Sequence, residues 1–154
     1  MKKWPAFDND GDLPVGIHQA TLAETLQHFG AGTPQRKRVG QQLERIFKLA
    51  NSTEQVARFI VFGSFVTAKP APGDVDIFLL MEDTFDVDQV DGEAAPIFDH
   101  QKAQNILGVS VFWSRKLAVI GGEQKAVEYW QVKRDNTRRG IVEVIDNDSE
   151  QSRT

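Results

Sequence analysis

Cysteine is absent from the sequence, which excludes disulfide bonds, thiolate metal ligands and cysteine nucleophiles. Long apolar runs are absent as well. None reaches the roughly 18 residues of a membrane-spanning helix. The N-terminal MKKWPAFDNDGD has two lysines but lacks the apolar stretch of a secretory signal. These absences predict a cytoplasmic protein that does not enter a membrane.

An excess of positive charge is also missing. The chain has 18 lysines and arginines against 22 aspartates and glutamates, a formal net charge of −4. This balance argues against a protein that coats nucleic acid. It is compatible with a small acidic pocket for metal ions, and equally with an ordinary solvated surface. The 154 residues, of which 40% are hydrophobic and 26% charged, are typical of one globular domain.

Two helices are predicted in the first third of the chain. HQATLAETLQHFG has apolar residues at helical spacing, a capping residue at or near Thr21, and an end at Gly30. TPQRKRVGQQLERIFKLANS has Thr33 as a plausible N-cap and Pro34 at the first helical position. These signals are local and define where each helix begins or ends.

The rest of the chain alternates strands with helices. Strands are predicted from composition in ARFIVFG, DVDIFLLM, GVSVFWS and RGIVEVI. Helices are predicted in PIFDHQKAQNIL and GEQKAVEYWQVKRD. Residues 1–16 are predicted to form an irregular arm and residues 147–154 a polar tail. This order indicates an α/β or α+β fold in which helices shield a small sheet.

Asp74 and Asp76 lie in an otherwise apolar segment. Because side chains alternate along a strand, both carboxylates are expected on one face, about 6–7 Å apart, with Val75 and Ile77 directed into the core. Unpaired buried charge is costly. A divalent cation would neutralise it, and Mg²⁺ prefers oxygen ligands. The pair therefore predicts a metal site for Mg²⁺ or Mn²⁺.

The Asp-x-Asp pattern alone is weak evidence, since it occurs five times in the chain. The pair described above is the one that an apolar run follows. The DNDGD segment resembles the start of a calcium-binding loop. Such a loop needs Gly at its sixth position and Glu at its twelfth, where this chain has Leu13 and Gln19. A polar turn is the favoured prediction for this segment.

Gly63 and Ser64 end the strand that precedes the carboxylates. Glycine lets a backbone pass close to a ligand, and the serine offers a hydroxyl. Backbone N–H groups at the start of a helical turn bind phosphate. A phosphate-binding turn next to two metal-binding carboxylates predicts a phosphoryl-transfer site. Metal ions and the turn would act there by neutralising charge and aligning the substrate.

These residues resemble the signature of the nucleotidyltransferase superfamily of DNA polymerase beta type. The signature is an apolar residue, Gly, Gly or Ser, a short spacer, then Asp-apolar-Asp/Glu-apolar. Here FGS ends at Ser64, nine residues intervene, and DVDI begins at Asp74. The stretches LPVGIHQATLAE, GVSVFW and YWQVKRDNTRRGIVEVI also resemble a small family of prokaryotic nucleotidyltransferase-like proteins.

The resemblance implies a nucleotidyltransferase-like domain over residues 17–146, with a short mixed β-sheet flanked by helices. It implies Mg²⁺ on Asp74 and Asp76, and a nucleoside triphosphate cradled by Gly63 and Ser64. The implied reaction moves a nucleoside monophosphate to a hydroxyl acceptor, for which a protein or an RNA is expected. Small stand-alone members of the superfamily often belong to toxin–antitoxin or defence systems.

One position departs from the superfamily pattern. Its enzymes usually carry a third carboxylate on a later strand, and the matching residue here is Ser110. A serine cannot supply that charge or act as an effective base. Either Glu143 on the last strand replaces it, or the activity is weakened or lost. The alternative function is therefore a catalytically impaired, nucleotidyltransferase-like binding or regulatory module.

Other polar and aromatic residues allow two interpretations each. Lys69 and Arg115 are predicted to bind the nucleotide, or else to be solvated. A protein partner or a homo-oligomer is compatible with the sequence. Several arginines could bind RNA or an acidic partner, although solvated charges are the favoured prediction: Arg36, Arg38, Arg134, Arg138 and Arg139. Three aromatic residues fit the core better than a base-stacking surface: Trp113, Tyr129 and Trp130.

Overall fold

The computed structural model describes residues 2–146. The predicted polar tail, residues 147–154, lies outside the described residues. The segment 2–16 contains no helix and no strand, and Asp12 forms an isolated β-bridge with Thr67. Among the described residues, no helix has both the length and the apolar character needed to cross a membrane.

A mixed sheet of five strands lies at the centre, in the order β1-β5-β2-β3-β4. Its strands are β1 (Ile17–Thr21), β2 (Val56–Phe62), β3 (Asp76–Met81), β4 (Ser110–Arg115) and β5 (Ile141–Ile145). Two pairs are parallel, β1 with β5 and β3 with β4, whereas β2 is antiparallel to both β3 and β5. The predicted α+β fold with a mixed sheet is confirmed.

The helices are unequal in length and regularity. They are α1 (Leu22–Phe29), α2 (Pro34–Asn51), α3 (His100–Lys102) and α4 (Glu123–Glu128). The two predicted helices in the second half of the chain are only partly α-helical. A π-helical turn, Ala103–Leu107, continues α3, and a 3₁₀ turn, Tyr129–Gln131, continues α4. The start of α2 is as predicted, with Thr33 accepting the N–H of Arg36 at 3.1 Å.

The first predicted helix is wrong over its initial residues, which form β1 instead. Each residue of β1 pairs with β5, beginning with Ile17 beside Ile141. Thr21 is both the last residue of β1 and the N-cap of α1. Its hydroxyl accepts the N–H of Glu24 at 3.1 Å, and the Glu24 carboxylate accepts the N–H of Thr21 at 2.9 Å. Because the strand enters the helix without a turn, no Gly or Pro marks the boundary.

The strand predicted from Asp74 begins two residues later, at Asp76. The alternation of faces nevertheless extends back across its start. Val75 and Ile77 are fully buried, as predicted, whereas Asp74 and Asp76 are only half-buried. The two carboxylates therefore lie away from the main core.

The sheet has an apolar core on each face. The larger core packs α1, α2 and residues 94–109 against one face, which includes Val61 and Leu79. The smaller core lies on the other face, where Val127 of α4 packs with Ile60, Phe78 and Leu80. Because side chains alternate along β3, Asp76 shares the face of Phe78. The polar residues discussed next therefore open beside the smaller core.

Candidate functional site

The predicted site residues meet at the start of β3. Asp76, its first residue, pairs with Ser110 at the start of β4 and with Phe62 at the end of β2. Gly63 and Ser64 follow Phe62 directly in the chain. Strand pairing alone thus brings the glycine turn, one carboxylate and the serine to the same edge of the sheet.

The Ser110 hydroxyl connects the two carboxylates. It donates to Asp74 Oδ2 at 3.0 Å and lies within hydrogen-bonding reach of Asp76. Gln104 Nε2 donates to Ser110 Oγ at 3.3 Å. A hydroxyl has a single hydrogen to donate, so it cannot neutralise both carboxylates. The pair therefore retains uncompensated negative charge.

The pKa of Asp76 is raised in this arrangement. Burial is the main cause and the Asp74 carboxylate the second, and they raise the pKa of Asp76 from 3.8 to about 6. The Ser110 hydrogen bond and the more distant Arg139 and Arg134 act in the opposite direction. A half-buried carboxyl group beside a second one is stabilised in its charged form by a cation. The donor set fits Mg²⁺ or Mn²⁺, which prefer oxygen ligands.

Gly63 is required by the position of the Asp76 carboxylate. Its backbone has φ of +81°, a conformation that favours glycine. A Cβ atom placed on Gly63 would lie 2.1 Å from Asp76 Oδ2. The carboxylate therefore packs directly on the Gly63 backbone, and no other residue type leaves room for it.

Gly63→Ala is expected to lower the free energy of unfolding by about 1–3 kcal/mol, through the strained φ and the clash with Asp76. Urea denaturation measures the change. Gly73→Ala is the matched control, because nothing lies within 4 Å of a Cβ there and its φ is ordinary. Equal effects of the two substitutions would contradict the close packing of Gly63 on Asp76.

Arg36 holds the segment that follows Gly63. This segment contains the 3₁₀ turn Ser64–Val66 and continues to Lys69. The buried Arg36 guanidinium donates to four backbone carbonyl oxygens: Phe29 at 3.1 Å, Phe65 at 2.9 Å, Thr67 at 2.6 Å and Lys69 at 2.5 Å. Arg36 is thus neither solvated nor free to bind RNA, which corrects both interpretations of this arginine.

A cleft of about 740 Å³ opens beside the carboxylates. Asp76, Ser110, Gly63 and Ser64 line its acidic edge, and Asp74 reaches it through Ser110. Four cationic residues line it as well: Lys69, Lys133, Arg134 and Arg139. Four ring-bearing residues complete the lining: Phe62, His100, Phe112 and Trp130. Cations beside an apolar surface suit a ligand that has both phosphates and a ring.

Asp12 in the N-terminal arm binds two of these cations. It is 4% exposed, and it accepts from Lys133 Nζ at 2.9 Å and Arg139 Nη1 at 3.4 Å. Asp8, Asp10 and Asp12 place carboxylate oxygens within 4.8 Å of one another and could hold a metal ion. The segment forms the predicted polar turn, in which Asp8 Oδ1 accepts the N–H groups of Asp10 and Asp12.

Glu143 does not replace the missing carboxylate, so that prediction is wrong. It lies on β5 beside Ile60, and β2 separates β5 from β3. Arg58 donates to Glu143 Oε2 from Nε at 2.9 Å and to Oε1 from Nη2 at 2.8 Å. This hydrogen bonding raises the pKa of Arg58. Both oxygens of Glu143 are therefore occupied outside the cleft.

Arg115 is also misplaced by the sequence prediction. It lies at the far end of β4 from Ser110, paired with Met81, and its Nη1 donates to the Phe85 carbonyl at 3.1 Å. It therefore does not face the carboxylates. Lys69, in contrast, lines the cleft.

Several cleft residues were not assigned to the nucleotide site from the sequence. Phe112 is two residues beyond Ser110 and shares its face, so strand alternation could have identified it. Trp130 packs on Phe78 at a ring distance of 5.2 Å, as a core residue should, but also lines the cleft. Tyr129 is largely exposed, contrary to prediction. Lys133 and Arg139 follow α4 in an irregular segment, whose course no periodicity reveals.

The fold and the site define an α+β protein with a carboxylate pair and a cation-lined cleft at one edge of a mixed sheet. Residues 5–145 match the model of a family described as Family of unknown function (DUF6932), and the chain belongs to this family. No curated protein and no solved structure matches the chain.

Proposed function

We propose that this protein is a Mg²⁺-dependent nucleotidyltransferase that moves a nucleoside monophosphate from a nucleoside triphosphate to a hydroxyl acceptor on a protein or an RNA. The observation that carries the proposal is the convergence of Asp74 and Asp76 on Ser110, with Asp76 packed on Gly63. The four cations of the adjoining cleft, two of which also bind Asp12, support it, because phosphates need positive partners there.

Each group has a distinct role in this proposal. Asp74 and Asp76 would hold the divalent ion, which supplies positive charge to the reacting phosphate when bound. Gly63 and Ser64 would contact the β- and γ-phosphates, and Lys69 would bind them from the same segment. The acceptor hydroxyl attacks the α-phosphorus, the bond to pyrophosphate breaks, and the hydroxyl proton passes to solvent or to another base.

Ser110 is the observation that favours a second candidate function. No carboxylate stands at this position, and Glu143 is bound to Arg58 rather than near the site. A nucleotide-binding or regulatory module that retains the fold without catalysis is consistent with both facts. In a toxin–antitoxin or defence system such a module would act through a protein partner.

A transfer assay separates the two functions. The purified protein is incubated with cell extract, Mg²⁺ and each of four nucleoside triphosphates labelled at the α-phosphate. Label on protein or RNA that Asp74→Asn removes supports the enzyme. Asp88→Asn, an exposed carboxylate in a distant loop, is the matched control and is expected to retain transfer. Binding of a nucleoside triphosphate without any labelled acceptor favours the binding module. If the protein neither binds a nucleoside triphosphate nor labels an acceptor, both proposed functions are wrong.

A further inference from the structure

Phe112 is an exposed aromatic residue of the cleft. It remains 40% exposed although three rings pack near it. The ring centroids lie 4.8 Å from His100, 5.1 Å from Trp130 and 6.3 Å from Phe62. An exposed apolar side chain is ordinary when isolated. Here it lies in the same cleft as two carboxylates, Asp76 and Asp135, and four cations.

The rings around Phe112 fix it in place. Trp130 contacts Phe62 at 4.5 Å and Phe78 at 5.2 Å, so it is anchored on the smaller core. His100 Nδ1 lies 3.2 Å from the Val111 carbonyl oxygen, beside Phe112 in the chain. A ring held by its neighbours loses little conformational freedom when a ligand binds, which favours stacking.

The distance from Phe112 to the acidic edge suits a nucleotide. Phe112 is two residues beyond Ser110 on β4, or about 6–7 Å along the strand. This spacing leaves room for a sugar between a phosphate at the carboxylates and a base on the ring. The cations of the cleft complement the charge of the triphosphate.

We propose that Phe112, supported by Trp130, is the surface on which the nucleobase of the bound nucleoside triphosphate stacks. The inference rests on the proposed function and adds the part of the substrate that this surface recognises. Stacking tolerates any base, because every base has a π-face. The site therefore binds all four nucleoside triphosphates, with purines more tightly than pyrimidines because their rings are larger.

Calorimetric titration in Mg²⁺ tests the inference with two ligands, ATP and inorganic triphosphate. Phe112→Ala is expected to weaken ATP binding roughly 10- to 100-fold and to leave triphosphate binding unchanged. Phe112→Leu, which keeps the apolar volume without the ring, is expected to lose most of the same affinity. Phe112→Tyr is expected to retain it. Leu117→Ala is the control, an exposed apolar residue that does not line the cleft.

The outcomes distinguish this inference from the proposed function. Unchanged ATP affinity in Phe112→Ala, or an equal loss for ATP and triphosphate, overturns the stacking surface. ATP binding that depends on Phe112 without any transfer product supports the surface and overturns the transferase. If the parent protein binds no ATP, both proposals are wrong. Triphosphate binding also shows that each variant is folded.

Discussion

Asp76→Asn is expected to yield a protein that is more stable but far less active in nucleotidyl transfer. Loss of the carboxylate removes a proposed ligand of the divalent ion and should lower transfer by roughly 10²- to 10³-fold. The same change removes a half-buried charge that repels Asp74. The free energy of unfolding without Mg²⁺ should therefore rise by about 1–3 kcal/mol at pH 7.5. Labelled transfer and urea denaturation measure the two effects.

The raised pKa of Asp76 explains why the substitution should increase the free energy of unfolding at pH 7.5. The pKa of Asp76 is about 6 in the folded protein, above its ordinary value of 3.8. Between these values the folded state retains a proton that the unfolded state has lost. The parent protein therefore loses stability as the pH rises through this window. Asp76→Asn abolishes this dependence, so the two proteins should have similar stability near pH 4.

Mg²⁺ should reverse the order of stability of the parent protein and Asp76→Asn. At pH 7.5 it is expected to raise the melting temperature of the parent, because it binds the folded state. It should leave Asp76→Asn unchanged. Affinity for Mg²⁺ should fall as the pH drops below about 6, where a proton occupies Asp76. A Mg²⁺-induced shift that survives in Asp76→Asn would contradict the assignment of Asp76 as a ligand. Asp88→Asn should behave as the parent does.

Arg36→Met is expected to lower the free energy of unfolding by about 3–5 kcal/mol, which is the usual effect of breaking a buried charged network. Methionine matches the length of the arginine stem but leaves four carbonyl oxygens without their donor. Unpaired buried acceptors are costly. Thermal unfolding followed by circular dichroism should show a decrease of roughly 10 °C.

Two comparisons make this prediction specific. Arg38→Met changes an exposed arginine in the same helix and is expected to shift the melting temperature by no more than about 2 °C. Arg36→Lys keeps the charge but cannot offer the fork of donors, so an intermediate loss is expected. Because residues 64–69 depend on Arg36, nucleotide binding should weaken along with stability. If Arg36→Met behaves like Arg38→Met, the bonds to this segment do not stabilise the fold.

The sequence could predict the features that depend on interactions between residues close together in the chain. Thr33 and Pro34 define the start of α2 through bonds within a few residues, and the structure has them as expected. Asp74, Asp76 and Gly63 could be identified from their spacing, because they lie close together in the sequence, near the ends of two paired strands. Strand β1 has no comparable signal. Its five residues become a strand through pairing with β5, more than a hundred residues later.

The remaining site residues come from distant parts of the chain. Arg36 looks like any charged residue on a helix until the loop that it binds is folded against it. Glu143 and Ser110 are both on strands, and their places could be compared only once the order of strands was known. Glu143 is separated from Asp76 by β2, whereas Ser110 is its direct neighbour.

The bridge from Asp12 to Lys133 and Arg139 makes the irregular arm part of the site. Gly11 also accepts a bond from the Ala68 N–H at 2.8 Å, so the arm lies against the segment after the glycine turn. Within residues 2–16, Asp12 thus supplies an anion that partly neutralises two cations of the cleft, Lys133 and Arg139. The boundary at residue 17, drawn from composition, separates regular from irregular backbone but does not divide a functional part of the chain from a dispensable one.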